Sequence, residues 1–134
     1  MGNVLVVAEH LNGALADVTF EMLGHAKSLA GDLGGSCEAL LIGGSAEMVG
    51  QLGAAAKVYT VDAPGDFNPE SHLAAVVAAV QAASPRLVLI GSTSMGMDLA
   101  SGLSVQAGLP LAAYALGISA AGGKLQCKRA TGAL

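Results

Sequence analysis

The sequence predicts an α/β domain: a three-layer, doubly wound, mainly parallel sheet with helices on both faces and a C-terminal hairpin. Three observations predict it. Short apolar runs without alternation, such as Asn3 to Ala8 (NVLVVA) and Leu87 to Ile90 (LVLI), mark strands covered on both faces. Between them lie stretches whose apolar residues recur at helical steps, and strand alternating with helix implies right-handed crossovers and a parallel sheet. The 134 residues are 53% hydrophobic and 12% charged, which suits one domain with a substantial core.

The first strand is Asn3 to Ala8. Glu9 to Asp17 reads as a polar, glycine-bearing loop, with Asp17 placed to cap the helix that follows. In that helix Met22, Leu23, Ala26, Leu29, Ala30 and Leu33 form one apolar stripe, and Gly34-Gly35 ends it. Ser36 to Ile42 is the second strand. Ser45 caps a short helix to about Leu52, and Ala56 to Val61 is the third strand. Asp62 to Phe67 makes a Pro-Gly turn. Asn68 caps a helix with Pro69 at its first position, where a missing N–H costs nothing, and Leu73, Val76, Val77 and Val80 give it a buried face. Pro85 separates it from the fourth strand. A helix from Met97 to Ala107 stops at Gly108, and Pro110 prevents resumption. Leu109 to Ile118 looks extended, Ala121-Gly122-Gly123 is a turn, and Lys124 to Ala130 partly alternates, so a terminal hairpin appended to the sheet is expected. Thr131 to Leu134 leave the chain on an apolar stretch with no polar tail, which predicts a fragment of a longer polypeptide.

Composition excludes several function classes. With no Trp, two Tyr and two Phe there are no platforms on which bases could stack. The net charge is −4, and the tail cations Lys124, Lys128 and Arg129 are too few for a nucleic-acid footprint. They read as a solvated strand face or as a contact with an acidic partner. Cys37 and Cys127 have no metal spacing and fit a reduced cytosol. No apolar run reaches the ~18–20 residues of a membrane span, and no secretory segment is visible.

Function turns on the loop after the fourth strand, Gly91-Ser92-Thr93-Ser94-Met95-Gly96. Ligands of open α/β sheets sit at the carboxyl ends of strands, and this loop lies there with Glu9 across the same crevice. Gly-x4-Gly opens a Walker A loop, but Met97 and Asp98 stand where Lys and Ser/Thr are required. The first strand is followed by Glu9-His10-Leu11-Asn12-Gly13, which is no dinucleotide fingerprint. Ser92, Thr93 and Ser94 at a helix start either hold an anion or simply cap the helix. Glu9 and His10 either form an acid/base pair or face water or a partner. His25 and His72 lack spaced metal partners, and Ser94 lacks a nucleophile elbow. The residues by themselves give no catalytic set.

Several stretches resemble the N-terminal domain of the electron transfer flavoprotein alpha subunit. They are Val4 to Leu15 (VLVVAEHLNGAL), Ala54 to Val58 with Val61-Asp62, and Pro85 to Leu99. The resemblance runs from about Val4 to Gly132. It implies that residues 1–134 are a single N-terminal α/β domain of the adenine nucleotide alpha hydrolase-like superfamily, an electron-carrier component rather than an enzyme. FAD would be held by a separate C-terminal domain absent from this sequence, with no cofactor in this piece. The implied partners are the electron transfer flavoprotein beta subunit and, through the intact complex, dehydrogenases, in the bacterial cytoplasm. Glu9, Gly91, Ser92, Thr93, Ser94 and Gly96 remain the crevice candidates for any ligand. The family usually has Pro-Arg near Ser101-Gly102 and Asp where Tyr114 stands. The alternative is a universal-stress-like nucleotide-binding module. That family's Gly-x2-Gly-x9-Gly-Ser/Thr pattern is not met, because four residues separate Gly91 from Gly96 and Leu109 follows Gly108.

Overall fold

The computed structural model describes residues 2–62, 68–113 and 115–129. Four strands, β1 (Val4–Val7), β4 (Cys37–Ile42), β5 (Lys57–Val61) and β6 (Leu87–Leu89), form a parallel sheet in the order β5-β4-β1-β6. The register places Val4 opposite both Cys37 and Leu87, so β1 is paired along both edges.

Alternation along β1 builds two cores. Val4 and Val6 face α1 (Asp17–Asp32) and α2 (Ala46–Gln51), meeting Met22, Leu23, Ala26 and Met48. Leu5 and Val7 face α3 (Pro69–Ala83) and α4 (Ser94–Ala107), meeting Val76, Ala79, Leu99 and Leu103. Every residue of β1 and β4 is buried, as strands covered on both faces are; β1 is an unbroken apolar run, while β4 carries the buried Glu38. The predicted three-layer, doubly wound arrangement is therefore present.

The caps mostly follow the sequence. The Asn68 side chain accepts from the Ser71 N–H at 3.1 Å with Pro69 next in line, and Ser45 caps α2. Gly108 ends α4 in the left-handed region, at φ 65°. Asp17 is a correction: Ala16 is the N-cap of α1 and makes no side-chain cap bond, while Asp17 is already helical. Its charge still complements the dipole of the first turn.

The loop after β1 is also more ordered than expected. β2 (His10–Leu11) and β3 (Ala14–Leu15) pair antiparallel across Asn12-Gly13, both at positive φ (53° and 82°). Asn-Gly is the strongest short hairpin signal, because both central residues of that turn need the left-handed region. The second hairpin, β7 (Ala115–Ala121) and β8 (Lys124–Arg129), turns at Gly122-Gly123. It is a separate two-stranded sheet rather than an extension of the parallel one. Ile118, Ala120 and Leu125 pack it on the α1 side, and the Arg86 guanidinium donates to Gly123 O at 2.8 Å. The turn expected within 63–67, Tyr114, and residues 130–134 lie outside the described residues.

Cys37 is buried on β4 and Cys127 is exposed on β8. Burial pushes the Cys37 thiol up, Glu38 adds to the rise, and Lys27 opposes it. The unfolded chain then loses this proton first, so stability is fully present at neutral pH. It should fall as pH climbs past about 8.5 toward the raised folded value. Urea unfolding from pH 7 to 10.5 should show this loss in the wild type and less of it in Cys37→Ala.

Candidate functional site

The strand order puts the topological switch between β1 and β6. The helix after β1, α1, lies on one face of the sheet, and the helix after β6, α4, on the other. The carboxyl ends of these two strands therefore part around a crevice, the usual ligand position in such sheets. Glu9 stands on one side of it and Gly91 to Thr93 on the other.

Four of the six predicted residues meet there. Thr93 is the N-cap of α4, and its Oγ1 accepts from the Gly96 N–H at 3.0 Å. The same hydroxyl donates to Glu9 Oε1 at 2.8 Å. One side chain thus joins the end of β1 to the start of α4. The Glu9 carboxyl lies beside the helix N-terminus, where backbone dipoles favour negative charge. Glu9 is only 7% exposed, and its Oε2 has no hydrogen-bond partner among the described residues.

The two glycines are explained by this closure. A Cβ at Gly91 would fall 2.5 Å from Glu9 Oε2. A Cβ at Gly96 would collide with the Gly91 carbonyl oxygen. The Gly-x4-Gly spacing lets the first turn of α4 pack directly on the end of β6, where a phosphate loop would leave a cradle of free N–H groups. Ser92 and Ser94 are exposed at the rim and take no part in the bridge.

His10 turns away from the crevice. Its Nε2 donates to Ile42 O at 2.8 Å and covers the end of β4, which fixes the proton on Nε2. Glu9 and His10 therefore serve different partners and do not make an acid/base pair. Among the described residues no group of three His, Cys, Asp or Glu is placed to hold a metal ion.

Thr19 is the positioning residue that sequence reasoning missed. It is wholly buried, accepts from the Glu9 N–H at 2.8 Å and donates to Glu9 O at 2.9 Å. It locks α1 to the end of β1 and fixes where the Glu9 side chain departs. The signal was present, since Thr19 lies three residues before Met22 and extends the apolar stripe of α1 with a polar group. A hydroxyl on a buried stripe needs a partner.

Residues 4–133 match the electron transfer flavoprotein domain family. The chain belongs to that family. It is 34% identical over 101 residues to the electron transfer flavoprotein subunit alpha of Megasphaera elsdenii, covering 72% of this chain and 30% of that protein. The alpha subunit of Thermoanaerobacterium thermosaccharolyticum is 34% identical over 104 residues, 73% of this chain and 31% of its own length. That of Syntrophomonas wolfei is 32% identical over 129 residues, 92% of this chain and 39% of its own length. The chain thus spans well under half the length of these curated relatives.

The flavin in the family's name does not fit the switch-point crevice. A dinucleotide's phosphates need free N–H groups or cations, and here a buried carboxyl holds that position with an unpaired oxygen. A Cβ at Gly102 would approach Leu73 Cδ2 to 2.5 Å, so α4 lies close against α3. Among the described residues no helix is long and apolar enough to cross a membrane.

Proposed function

We propose that this chain is the N-terminal assembly domain of an electron transfer flavoprotein alpha subunit. In the intact protein a further C-terminal domain carries FAD. The domain described here pairs with the beta subunit and supports electron transfer from dehydrogenases to an acceptor, in the bacterial cytoplasm. It contributes a scaffold rather than a redox or catalytic centre.

The observation that carries this reading is the closed crevice. At the place where nucleotide-binding sheets of this architecture hold phosphate, Glu9 is bonded to the cap of α4 and Gly96 is packed on Gly91. Calorimetric titration of the 134-residue protein with AMP, ATP and FAD tests it. No nucleotide should bind tighter than about 1 mM, the range of very weak association. Micromolar binding of AMP or ATP would instead favour the universal-stress-like module, and micromolar FAD would place the cofactor in the wrong domain.

A further inference from the structure

Asn12 and Gly13 form the two-residue turn between β2 and β3, and both are exposed. Among the described residues neither the Asn12 side chain nor the Gly13 N–H makes a hydrogen bond. A Cβ at Gly13 would meet nothing within 4 Å, so the turn is open to solvent. The chain's other two asparagines are placed differently. The Asn3 side chain accepts from the Ser36 N–H at 2.9 Å, and the next nitrogen, that of β-branched Val4, donates to Ser36 O at 3.0 Å. Asn68 precedes Pro69, whose nitrogen carries no proton.

The φ values of Asn12 and Gly13, 53° and 82°, are those of a type I′ turn. In such a turn ψ of the first central residue is about +30°. Its Cβ then lies on the far side of the Cα–C bond from the next nitrogen, so Gly13 N does not reach Asn12 Cγ. Type II′, the other favoured two-residue hairpin turn, keeps that φ positive at about 60° and turns ψ to about −120°. There Cβ and the next nitrogen lie on the same side, and a ring between Cγ and that nitrogen can close. A flip of the Asn12–Gly13 peptide plane converts one turn into the other. Gly13 tolerates the change in the sign of φ, and both turns join the strands with two residues, so the register is kept.

We propose that Asn12 is a site of spontaneous deamidation and isomerisation, reached by this flip while the hairpin stays paired. The Gly13 nitrogen bonds to Asn12 Cγ, the carboxamide C–N bond breaks, and ammonia leaves with the Gly13 proton. Water then opens the cyclic imide. Cleavage at Cγ gives aspartate, and cleavage at the main-chain carbonyl gives isoaspartate. Either product adds a negative charge to the hairpin tip. Isoaspartate also lengthens the backbone inside the turn, in the hairpin whose base is closed by the Ala16 N–H donating to Glu9 O at 2.9 Å.

The test incubates the folded 134-residue chain at neutral pH beside a synthetic peptide spanning Glu9 to Asp17. Peptide mapping and enzymatic methylation of isoaspartate follow both. A flipped conformer populated at about 0.1–10% makes the folded chain react about 10–1,000-fold more slowly than the peptide, and that is the expected result. A larger slowing would mean that ring closure waits for unfolding of the domain, and a rate equal to the peptide's would mean that the turn does not hold Asn12; each overturns the proposal. Isoaspartate appearing first at Asn3 or Asn68 overturns it as well. Exchange of the Ala16 amide in the same sample reads how often the hairpin opens. Its protection factor should exceed the slowing of deamidation. Protection no greater than that slowing would mean that the strands must part before Asn12 reacts, and would overturn the flip.

Discussion

Gly96→Ala is expected to cost the fold about 3 kcal/mol, at the upper end of ordinary overpacking. The added methyl would land on the Gly91 carbonyl oxygen, a backbone atom that cannot swing aside, with Ile90 Cγ2 also 3.2 Å away. Relief requires α4 to lift from the end of β6, which would strip the Thr93 cap from the same turn. The helix preference of alanine over glycine, about 1 kcal/mol, acts in the opposite direction and is too small to compensate. Gly24 supplies the control. It lies inside α1, is exposed, and a Cβ there meets nothing within 4 Å. Gly24→Ala should therefore stabilise the protein by about 0.5–1 kcal/mol. Urea unfolding of both variants at unchanged m-value decides the matter. Equal, favourable shifts would mean that α4 does not approach β6 this closely.

The parallel strands were legible because burial on both faces leaves little room for polar alternation, which β1 shows without interruption and β4 with the single exception of Glu38. Caps were legible where a side chain makes the first bond of the helix, as at Ser45 and Asn68. At α4 three successive hydroxyls left the cap open between Ser92, Thr93 and Ser94, and the helix begins at Ser94, three residues before the expected Met97. At α1 that rule misleads. Its start is fixed by Thr19 bonding the Glu9 backbone, so Asp17 is free to sit one residue inside. The short hairpin over His10 to Leu15 was also readable, from Asn12-Gly13, but the polar character of the stretch obscures it.

The crevice residues were legible as a set and not as an arrangement. Glu9 and Thr93 are 84 residues apart, and no local pattern links them. Only the placement of β6 beside β1 brings their carboxyl ends together. The glycine spacing gave the opposite difficulty, since the same Gly-x4-Gly can wrap a phosphate or let two backbone segments touch. The side chain that fills the gap decides between them, and here it is Glu9.

That bond between Glu9 and Thr93 predicts a second large effect. Thr93→Val keeps the side-chain shape and removes the hydroxyl, so the Gly96 N–H loses its cap and Glu9 Oε1 its donor. Loss of a cap costs about 1 kcal/mol. Loss of a hydrogen bond to a charged group adds about 1.5–3 kcal/mol. The variant should therefore be destabilised by about 3 kcal/mol in urea unfolding. Glu9→Met replaces the carboxyl by an unbranched apolar chain and removes the buried oxygen that has no partner. In that background Thr93→Val should cost only the cap, about 1 kcal/mol. The resulting coupling of about 2 kcal/mol lies well outside the ~0.5 kcal/mol scatter of independent sites. Additive behaviour would show that the 2.8 Å contact contributes nothing, and the closed crevice would lose its energetic basis. Strong coupling would mean that this seam is held shut by a carboxyl 7% exposed and bonded to a helix cap, which is the property a scaffold domain needs there and a nucleotide site does not.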